Sequence, residues 1–167
     1  NGGSEHGEVF IYSFNGSSWS QIGQFNGQNY LGQLGFSVSL NKSGNIVAFS
    51  SPFHDNSFGT NSGKVEVWEF SSGSWNAVGY PIYGADDGDR CGKSLDLSSD
   101  GTTLVIGSDE HDANGINESG QVRIFEWNGF NWLQKGQNID GIGYGDHFGG
   151  SVSISGNGNT IAAGAIY

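Results

Sequence analysis

The sequence has very little cysteine, proline, methionine or positive charge: its 167 residues include one Cys, 2 Pro, no Met and 6 Lys plus Arg. A single cysteine excludes an intrachain disulfide framework and a zinc site built from several cysteines. The 17 Asp plus Glu give a net charge of −11, which argues against nucleic-acid partners, because phosphates require a basic face. No apolar run approaches the ~18 residues of a membrane span, so membrane insertion is not expected.

Long runs of the strong helix formers Ala, Leu, Glu and Lys are also absent, whereas glycine occurs 30 times. Gly, Ser, Asn and Thr favour turns over helix interiors. We therefore expect an acidic, all-β protein that is extracellular or located at the cell surface.

One sequence pattern occurs three times at a nearly constant spacing. The segment 7–12 (GEVFIY) recurs as 63–68 (GKVEVW) and 120–125 (GQVRIF), at spacings of 56 and 57 residues. The segment 35–40 (GFSVSL) recurs twice at a spacing of 57 residues. A tryptophan follows each copy of the first segment: Trp19, Trp75 and Trp132. Such regularity over the whole chain is typical of a repeat architecture.

Each unit of the pattern predicts four short strands. The first, 35–40, is followed by a turn rich in Asn, Ser and Gly and then by the second, 46–50. The third begins at Gly63 after a longer loop, and the fourth begins at Trp75. Counted from the glycine of the third strand, the repeats span 1–62, 63–119 and 120–167, and the chain begins and ends inside equivalent loops.

The third strand carries apolar side chains on both faces, with Val65 and Val67 on one and Trp68 and Phe70 on the other. A strand buried on both faces belongs to a sheet packed between neighbours. Repeated, stacked four-stranded sheets are the architecture of a β-propeller. We therefore predict three tandem blades of about 57 residues, part of a larger propeller or repeat assembly. A β-sandwich is the alternative, but it does not require an identical repeat.

The units resemble FG-GAP repeats of integrin-α-type propellers and, more loosely, WD repeats. Phe148-Gly149 followed by Gly164-Ala165 matches the FG…GA pattern, with Ile166 where the family has proline. The other copies carry Leu34-Gly35 before Ser50-Ser51-Pro52, Cys91-Gly92 before Gly107-Ser108-Asp109, and the WD-like pairs Trp68-Glu69 and Phe125-Glu126. The resemblance implies a propeller fold and covers the whole chain with short motifs.

The resemblance also implies calcium loops of the form Asp-x-Asp-x-Asp-Gly in the hairpin between the first two strands of a blade. In this sequence those hairpins contain Asp100 or no carboxylate at all. The family's calcium ligands therefore have no counterpart here, and no cofactor is predicted from them.

A different oxygen-rich loop, after the second strand of the second repeat, contains the weak Ca²⁺ candidates Asp109, Asp112, Asn114 and Glu118. Calcium takes 6–8 oxygen ligands, which such a loop could supply in part. The alternative, which we favour, is a solvated loop whose Asp and Asn side chains form turns.

The sequence has no constellation typical of a catalytic site. Gly92-Lys93-Ser94 resembles the end of a phosphate-binding loop but occupies a first-strand position of the repeat. Carboxylates lie at equivalent places before the first strand in Asp86-Asp87-Gly88-Asp89 and Gly145-Asp146-His147 and could form acid–base pairs, but the first repeat has no carboxylate there. We therefore expect no enzymatic activity.

Two features bear on glycans. The sequons at Asn15, Asn41 and Asn117 lie in predicted turns or loops and are candidate N-glycosylation sites. The repeated tryptophans are expected to pack between blades. Aromatic residues that do not recur are better candidates for sugar binding: Tyr30, Phe58, Tyr83 and Tyr144.

The two ends of the sequence fall in the same loop of the repeat. Asn1 aligns with Asn114 and Tyr167 with Glu110. Three blades are too few to close a propeller, which typically has about 4–8, and raw strand edges require cover. We expect the partners to be other copies of the chain or further repeats of it, in a ring or filament. The function expected is a structural, adhesion or assembly role. The alternative is a carbohydrate- or Ca²⁺-dependent ligand-binding propeller.

Overall fold

The computed structural model describes residues 6–28, 31–57 and 59–166. The fold is all-β, as predicted, and its strands form several antiparallel sheets. A single 3-10 turn at Ala113–Gly115 is the one helical element among the described residues. Within those residues, no helix has the length and apolar character needed to cross a membrane.

Fourteen strands follow one another along the described chain. Their bounds are β1 Glu8–Phe14, β2 Trp19–Asn26, β3 Val38–Leu40, β4 Ile46–Ser51, β5 Lys64–Ser71, β6 Ser74–Ala77, β7 Ile82–Tyr83, β8 Ser94–Leu97, β9 Thr103–Ser108, β10 Gln121–Trp127, β11 Trp132–Gln134, β12 Ile139–Asp140, β13 Ser151–Ile154 and β14 Ile161–Gly164.

The strands form two larger sheets and two hairpins. The first sheet has the order β3-β4-β5-β6 with β7 beside β5, and the second has the order β8-β9-β10-β11 with β12 beside β10. Strands β1 and β2 form the N-terminal hairpin, and β13 and β14 form the C-terminal hairpin. Each larger sheet takes its first two strands from one sequence repeat and the rest from the next. The short strands β7 and β12 were not expected from the sequence.

Side chains in the hairpin turns hold the first and second strands together. The Asn41 side-chain oxygen accepts a hydrogen bond from the Ile46 N–H at 3.0 Å. At the same position of the next repeat, the Ser98 hydroxyl accepts one from the Thr103 N–H at 3.0 Å. These residues compete well for backbone donors, which explains why the predicted turns form.

The two central strands of the first sheet, β4 and β5, are largely buried on both faces, as the sequence of the third strand predicts. On one face, Val47 and Phe49 pack with Val9 and Ile11 of the N-terminal hairpin. On the other face, Val65 and Val67 belong to a cluster shared with the second sheet, which includes Leu95, Leu97, Leu104 and Ile106. The second sheet in turn packs Val105 and Val122 against Ile154 of the C-terminal hairpin.

The glycine before each third strand is required by a close backbone approach. Gly63 forms an isolated parallel bridge with Cys91, and its φ is +87°. A Cβ at Gly63 would meet the Cys91 backbone nitrogen and oxygen. Gly7 and Gly120 occupy the same position and make equivalent bridges, which explains why this glycine recurs in every repeat.

The first strands of neighbouring sheets are joined by one polar position of the repeat. Asp96 on β8 accepts hydrogen bonds from the Ser39 hydroxyl at 2.9 Å and from the Ser153 hydroxyl at 3.2 Å. Each of these serines lies 57 positions from Asp96. The sequence period is therefore also the period of the contacts between sheets.

Candidate functional site

The Ca²⁺ candidates make contacts within their loop and with neighbouring segments. Asp109 is buried and lies 3.4 Å from the Lys93 amine. Asp112 accepts a hydrogen bond from the Glu118 N–H at 2.8 Å, and Asn114 donates one to Asp140 at 3.2 Å. Among the described residues, these carboxylates do not belong to any close group of three metal-ligating atoms. The Ca²⁺ alternative therefore gains no support from the positions of these side chains.

Two carboxylates from the acidic loop considered for acid–base chemistry, Asp86 and Asp89, lie beside His111, and the ligating atoms of these three residues lie within 4.8 Å of one another. Asp89 is buried, and its two oxygens are already engaged. One lies 2.8 Å from His111 Nδ1, and the other accepts hydrogen bonds from the Ala85 and Asp86 N–H groups at 2.8 and 3.0 Å. The contact between Asp89 and His111 joins two loops and accounts for the close approach of these side chains. We call this contact the strut.

The strut shifts the pKa of both of its residues. The hydrogen bond to Asp89 raises the pKa of His111 in spite of burial. Burial would by itself raise the pKa of Asp89, but the hydrogen bonds from His111 and the backbone outweigh it and lower that pKa. His54 occupies the same repeat position as His111, but the position of Asp89 is Gly32 in that repeat. Burial lowers the pKa of His54.

Asp87 and Cys91 also have structural partners. Asp87 accepts hydrogen bonds from the Thr60 N–H and hydroxyl at 2.7 and 2.6 Å, which lower its pKa. Cys91 is fully buried, and burial raises the pKa of its thiol although Arg123 lies 3.2 Å from the sulfur. A raised thiol pKa is the opposite of what a nucleophilic cysteine requires. The expectation that the chain is not an enzyme stays a prediction.

A cavity of about 410 Å³ lies between the N-terminal hairpin and the first sheet. Among the described residues its lining includes Phe25, His54, Glu66 and Trp68. The Trp68 indole N–H is buried and has no hydrogen-bond partner within the described part of the chain. A buried, unsatisfied donor is costly unless a ligand or water accepts from it.

The cavity has no local signal in the sequence, because it depends on two positions at which the repeats differ. At the equivalent junction between the two larger sheets, Arg123 takes the position of Glu66 and donates a hydrogen bond to the Tyr83 carbonyl at 2.9 Å. Asp89 there takes the position of Gly32. Both differences are visible in the aligned repeats, but their consequence depends on how the sheets pack.

The three sequons differ in their surroundings. Asn15 and Asn117 are exposed. Asn41 is buried, and its side-chain nitrogen donates to Ser43 at 3.1 Å and to Asn45 at 2.9 Å. Since a glycan would replace one of the two hydrogens on that nitrogen, modification of Asn41 would remove at least one of these bonds. Glycosylation at the three sites stays a prediction.

The aromatic candidates for sugar binding are dispersed. Tyr30 and Phe58 lie outside the described residues. Tyr83, expected in a loop, is part of strand β7, with its ring 6.0 Å from that of His54. Tyr144 is exposed in the loop before β13. The structure therefore does not bring the described members of this set together.

The repeated tryptophans have unequal environments. Trp75 and Trp132 donate hydrogen bonds to main-chain carbonyls of the preceding unit, Ile22 at 3.0 Å and Val78 at 2.9 Å. Trp132 is 5% exposed, but Trp19 is 68% exposed. Within the described chain, no preceding sheet covers Trp19, which explains the difference.

No protein-family model matches the chain, and no curated protein matches it. The resemblance of the repeat motifs to FG-GAP units therefore stays a prediction.

Proposed function

We propose that the chain is a non-enzymatic, extracellular repeat module with a structural, adhesion or assembly role, and that its sheets are blades of an FG-GAP-like β-propeller. Two sheets with the same strand order support the propeller. Contacts between sheets that repeat at the sequence period of 57 residues support it further. The Asp87 and Asp89 carboxylates accept hydrogen bonds from loop residues, and Cys91 is buried, which supports a non-enzymatic role.

One observation carries the assembly role. The C-terminal hairpin corresponds to the first two strands of a larger sheet, and the N-terminal hairpin corresponds to the third and fourth. Each hairpin is half of the same unit, and the two halves lie at opposite ends of the described chain. A half-sheet leaves a raw edge and an apolar face, which soluble proteins cover. Other copies or further repeats supply that cover, in a ring or a filament.

Sedimentation velocity of the 167-residue chain over a micromolar concentration series tests this role. We expect species larger than the monomer, and we expect an apolar-surface dye to bind at low concentration and to be released on association. A cooperatively folding monomer that binds no dye at any concentration would contradict the assembly role.

The cavity beside Trp68 favours one second candidate, the binding of a small polar ligand such as a glycan. Its aromatic walls and unsatisfied indole donor are suited to a hydroxylated ring. A glycan array probed with the unsubstituted chain and with Trp68→Phe tests it, since the substitution keeps an aromatic ring and removes the N–H. Selective binding that Trp68→Phe weakens supports the candidate, and the absence of selective binding removes it. Repeating the array with a chelator tests Ca²⁺ dependence.

A further inference from the structure

The three sequons differ in what the folded chain offers to an enzyme. A sequon is defined by the amide of its asparagine and the hydroxyl of the serine or threonine two residues later. A transferase that acts on the folded chain must therefore reach both groups at once. The surroundings of Asn15, Asn41 and Asn117 decide which sequon meets this condition.

The sequon at Asn15 lies in the turn between β1 and β2, and Asn15, Gly16 and Ser17 are all exposed. The Asn15 side-chain oxygen accepts hydrogen bonds from the Ser17 N–H and hydroxyl, both at 3.0 Å, and from the Ser18 N–H at 2.9 Å. Its Nδ2 donates to the Ser18 hydroxyl at 3.2 Å, and the second hydrogen of Nδ2 has no partner among the described residues. Both sequon groups therefore lie side by side at the surface, with one hydrogen available for replacement.

The exposure of this turn is a property of the repeat. Asn128 and Ser72 lie in the same turn of the two larger sheets, and both are exposed there as well. The Asn128 side-chain oxygen accepts hydrogen bonds from the Phe130 N–H at 2.9 Å and the Asn131 N–H at 2.8 Å. These are the same two backbone bonds that the side chain of Asn15 accepts. The accessibility of Asn15 therefore does not depend on what covers the N-terminal hairpin.

The sequon at Asn41 is closed in the folded chain. Asn41 lies in the turn between β3 and β4 and is 6% exposed. Its Nδ2 donates to the Ser43 hydroxyl at 3.1 Å and to the Asn45 side-chain oxygen at 2.9 Å. Its own oxygen accepts from the Ile46 N–H. A transferase reaches this buried amide only if the turn opens.

The sequon at Asn117 is open at the asparagine but closed at the serine. Asn117 is exposed, whereas Ser119 is 0% exposed. The Ser119 hydroxyl accepts a hydrogen bond from the Ala113 N–H at 3.1 Å. The main chain is also held, because the Asn117 carbonyl accepts from the Gly145 N–H at 3.1 Å. A transferase that reaches the Asn117 amide therefore does not reach the hydroxyl that it must recognise.

We propose, on the basis of the extracellular location above, that Asn15 is the N-glycosylation site of the folded chain and that Asn41 and Asn117 accept no glycan once the chain has folded. The donor is an oligosaccharide linked to a lipid diphosphate. A bond forms between Asn15 Nδ2 and the anomeric carbon of the sugar, while the bond from that carbon to the diphosphate oxygen breaks. The lipid diphosphate leaves with the electron pair, and Nδ2 loses one proton to a base of the transferase.

Transfer to the folded chain in vitro tests the assignment. The reagents are a purified oligosaccharyltransferase, a lipid-linked oligosaccharide and one short peptide for each sequon, which the enzyme is first shown to modify. We expect the folded chain to gain one glycan, at Asn15, at a rate similar to that of the matching peptide. Transfer to Asn41 and Asn117 should be at least about a hundredfold slower than to their peptides, because it requires local opening of the fold. Intact mass and peptide mapping measure both.

Two substitutions in the β10–β11 hairpin form a matched pair. Phe130→Ser completes a sequon at Asn128, in the exposed turn described above, and Phe130 is 75% exposed. Leu133→Ser completes a sequon at Asn131 instead. Leu133 is also exposed, but Trp132 between them is buried and lies in β11, so this sequon is held in the sheet. We expect a second glycan on Phe130→Ser and none added to Leu133→Ser. Equal modification of the two variants would show that the turn does not decide acceptance.

The outcomes separate this inference from the proposed function. Transfer to Asn41 or Asn117 of the folded chain at the rate of the matching peptide overturns the assignment, and so does a folded chain that is not modified at Asn15. Sedimentation decides the assembly role independently. If the chain accepts a glycan at Asn15 but stays monomeric, the assembly role fails and the assignment stands. Ser17→Ala removes the sequon hydroxyl and is the negative control, and near-UV circular dichroism verifies that each variant is folded.

Discussion

At the scale of single residues, Trp132 and Trp19 occupy the same position of the repeat but differ in burial. Trp132 is almost fully buried and donates a hydrogen bond to Val78. We expect Trp132→Ala to lower the free energy of unfolding by about 3–5 kcal/mol. Trp19→Ala should lower it by less than about 1 kcal/mol in dilute solution, since most of its surface is already in water. Denaturant unfolding of both variants measures the difference, and equal losses would contradict the packing described.

The strut between Asp89 and His111 predicts a dependence of stability on pH. Because the pKa of His111 is raised, the strut stabilises the folded chain fully below about pH 6.5, which is the pKa of an unfolded histidine. That contribution is lost as the pH rises through the raised pKa. The charges of Asp140 and Asp86 act in the same direction. Because the pKa of Asp89 is lowered, its contribution is lost only as the pH falls through that lowered value.

We therefore expect the free energy of unfolding to fall by about 1–2 kcal/mol between pH 6 and pH 9, and His111→Gln to remove most of this fall. Urea unfolding at several pH values measures it. His54→Gln is the control: burial lowers the pKa of His54, so its contribution is lost at low pH instead. A fall that persists in His111→Gln would show that the strut does not cause it.

At the scale of strands, the glycine that precedes each third strand fixes where neighbouring segments meet. Gly63→Ala should lower the free energy of unfolding by more than about 2 kcal/mol, because the new methyl group meets the backbone of Cys91 at a positive φ. Gly73→Ala is the matched control, since Gly73 has φ +84° but nothing within 4 Å of an added Cβ. Thermal unfolding of the two variants isolates the backbone contact. Equal destabilisation would mean that φ alone sets the cost.

The strands were largely predictable because their signals are local. The pattern of 35–40 and the Asn-rich turn at Asn41 place β3 and β4. Strand β3 covers only Val38–Leu40 of the predicted 35–40, and β4 extends one residue beyond the predicted 46–50. Strand β7 was not predicted because two residues carry no periodicity. The Asp89–His111 strut joins residues 22 positions apart, and the cavity beside Trp68 depends on packing between sheets. Both were invisible to local pattern reasoning.

At the scale of the whole molecule, stability should not depend on divalent metal. The Asp112 carboxylate already accepts a hydrogen bond from the Glu118 N–H, and the Asp109 carboxylate lies 3.4 Å from the Lys93 amine. We expect EDTA to change the melting temperature of the chain by no more than about 2 °C, which corresponds to less than about 1 kcal/mol. Differential scanning calorimetry measures it. A large decrease that Ca²⁺ reverses, and that Asp109→Ala with Asp112→Ala abolishes, would instead make this loop a metal site.

Amide hydrogen exchange over a concentration series is the sharpest test of whether copies of the chain cover its two terminal hairpins. We expect amides of β1 and β14 to exchange more slowly as the concentration rises, because association gives these strands a partner. Amides of β9 and β10, which are already paired with each other, should exchange at a constant rate and provide the internal reference. Exchange in β1 and β14 that is independent of concentration, in a chain that stays folded throughout, would show that copies of the chain do not cover the hairpins.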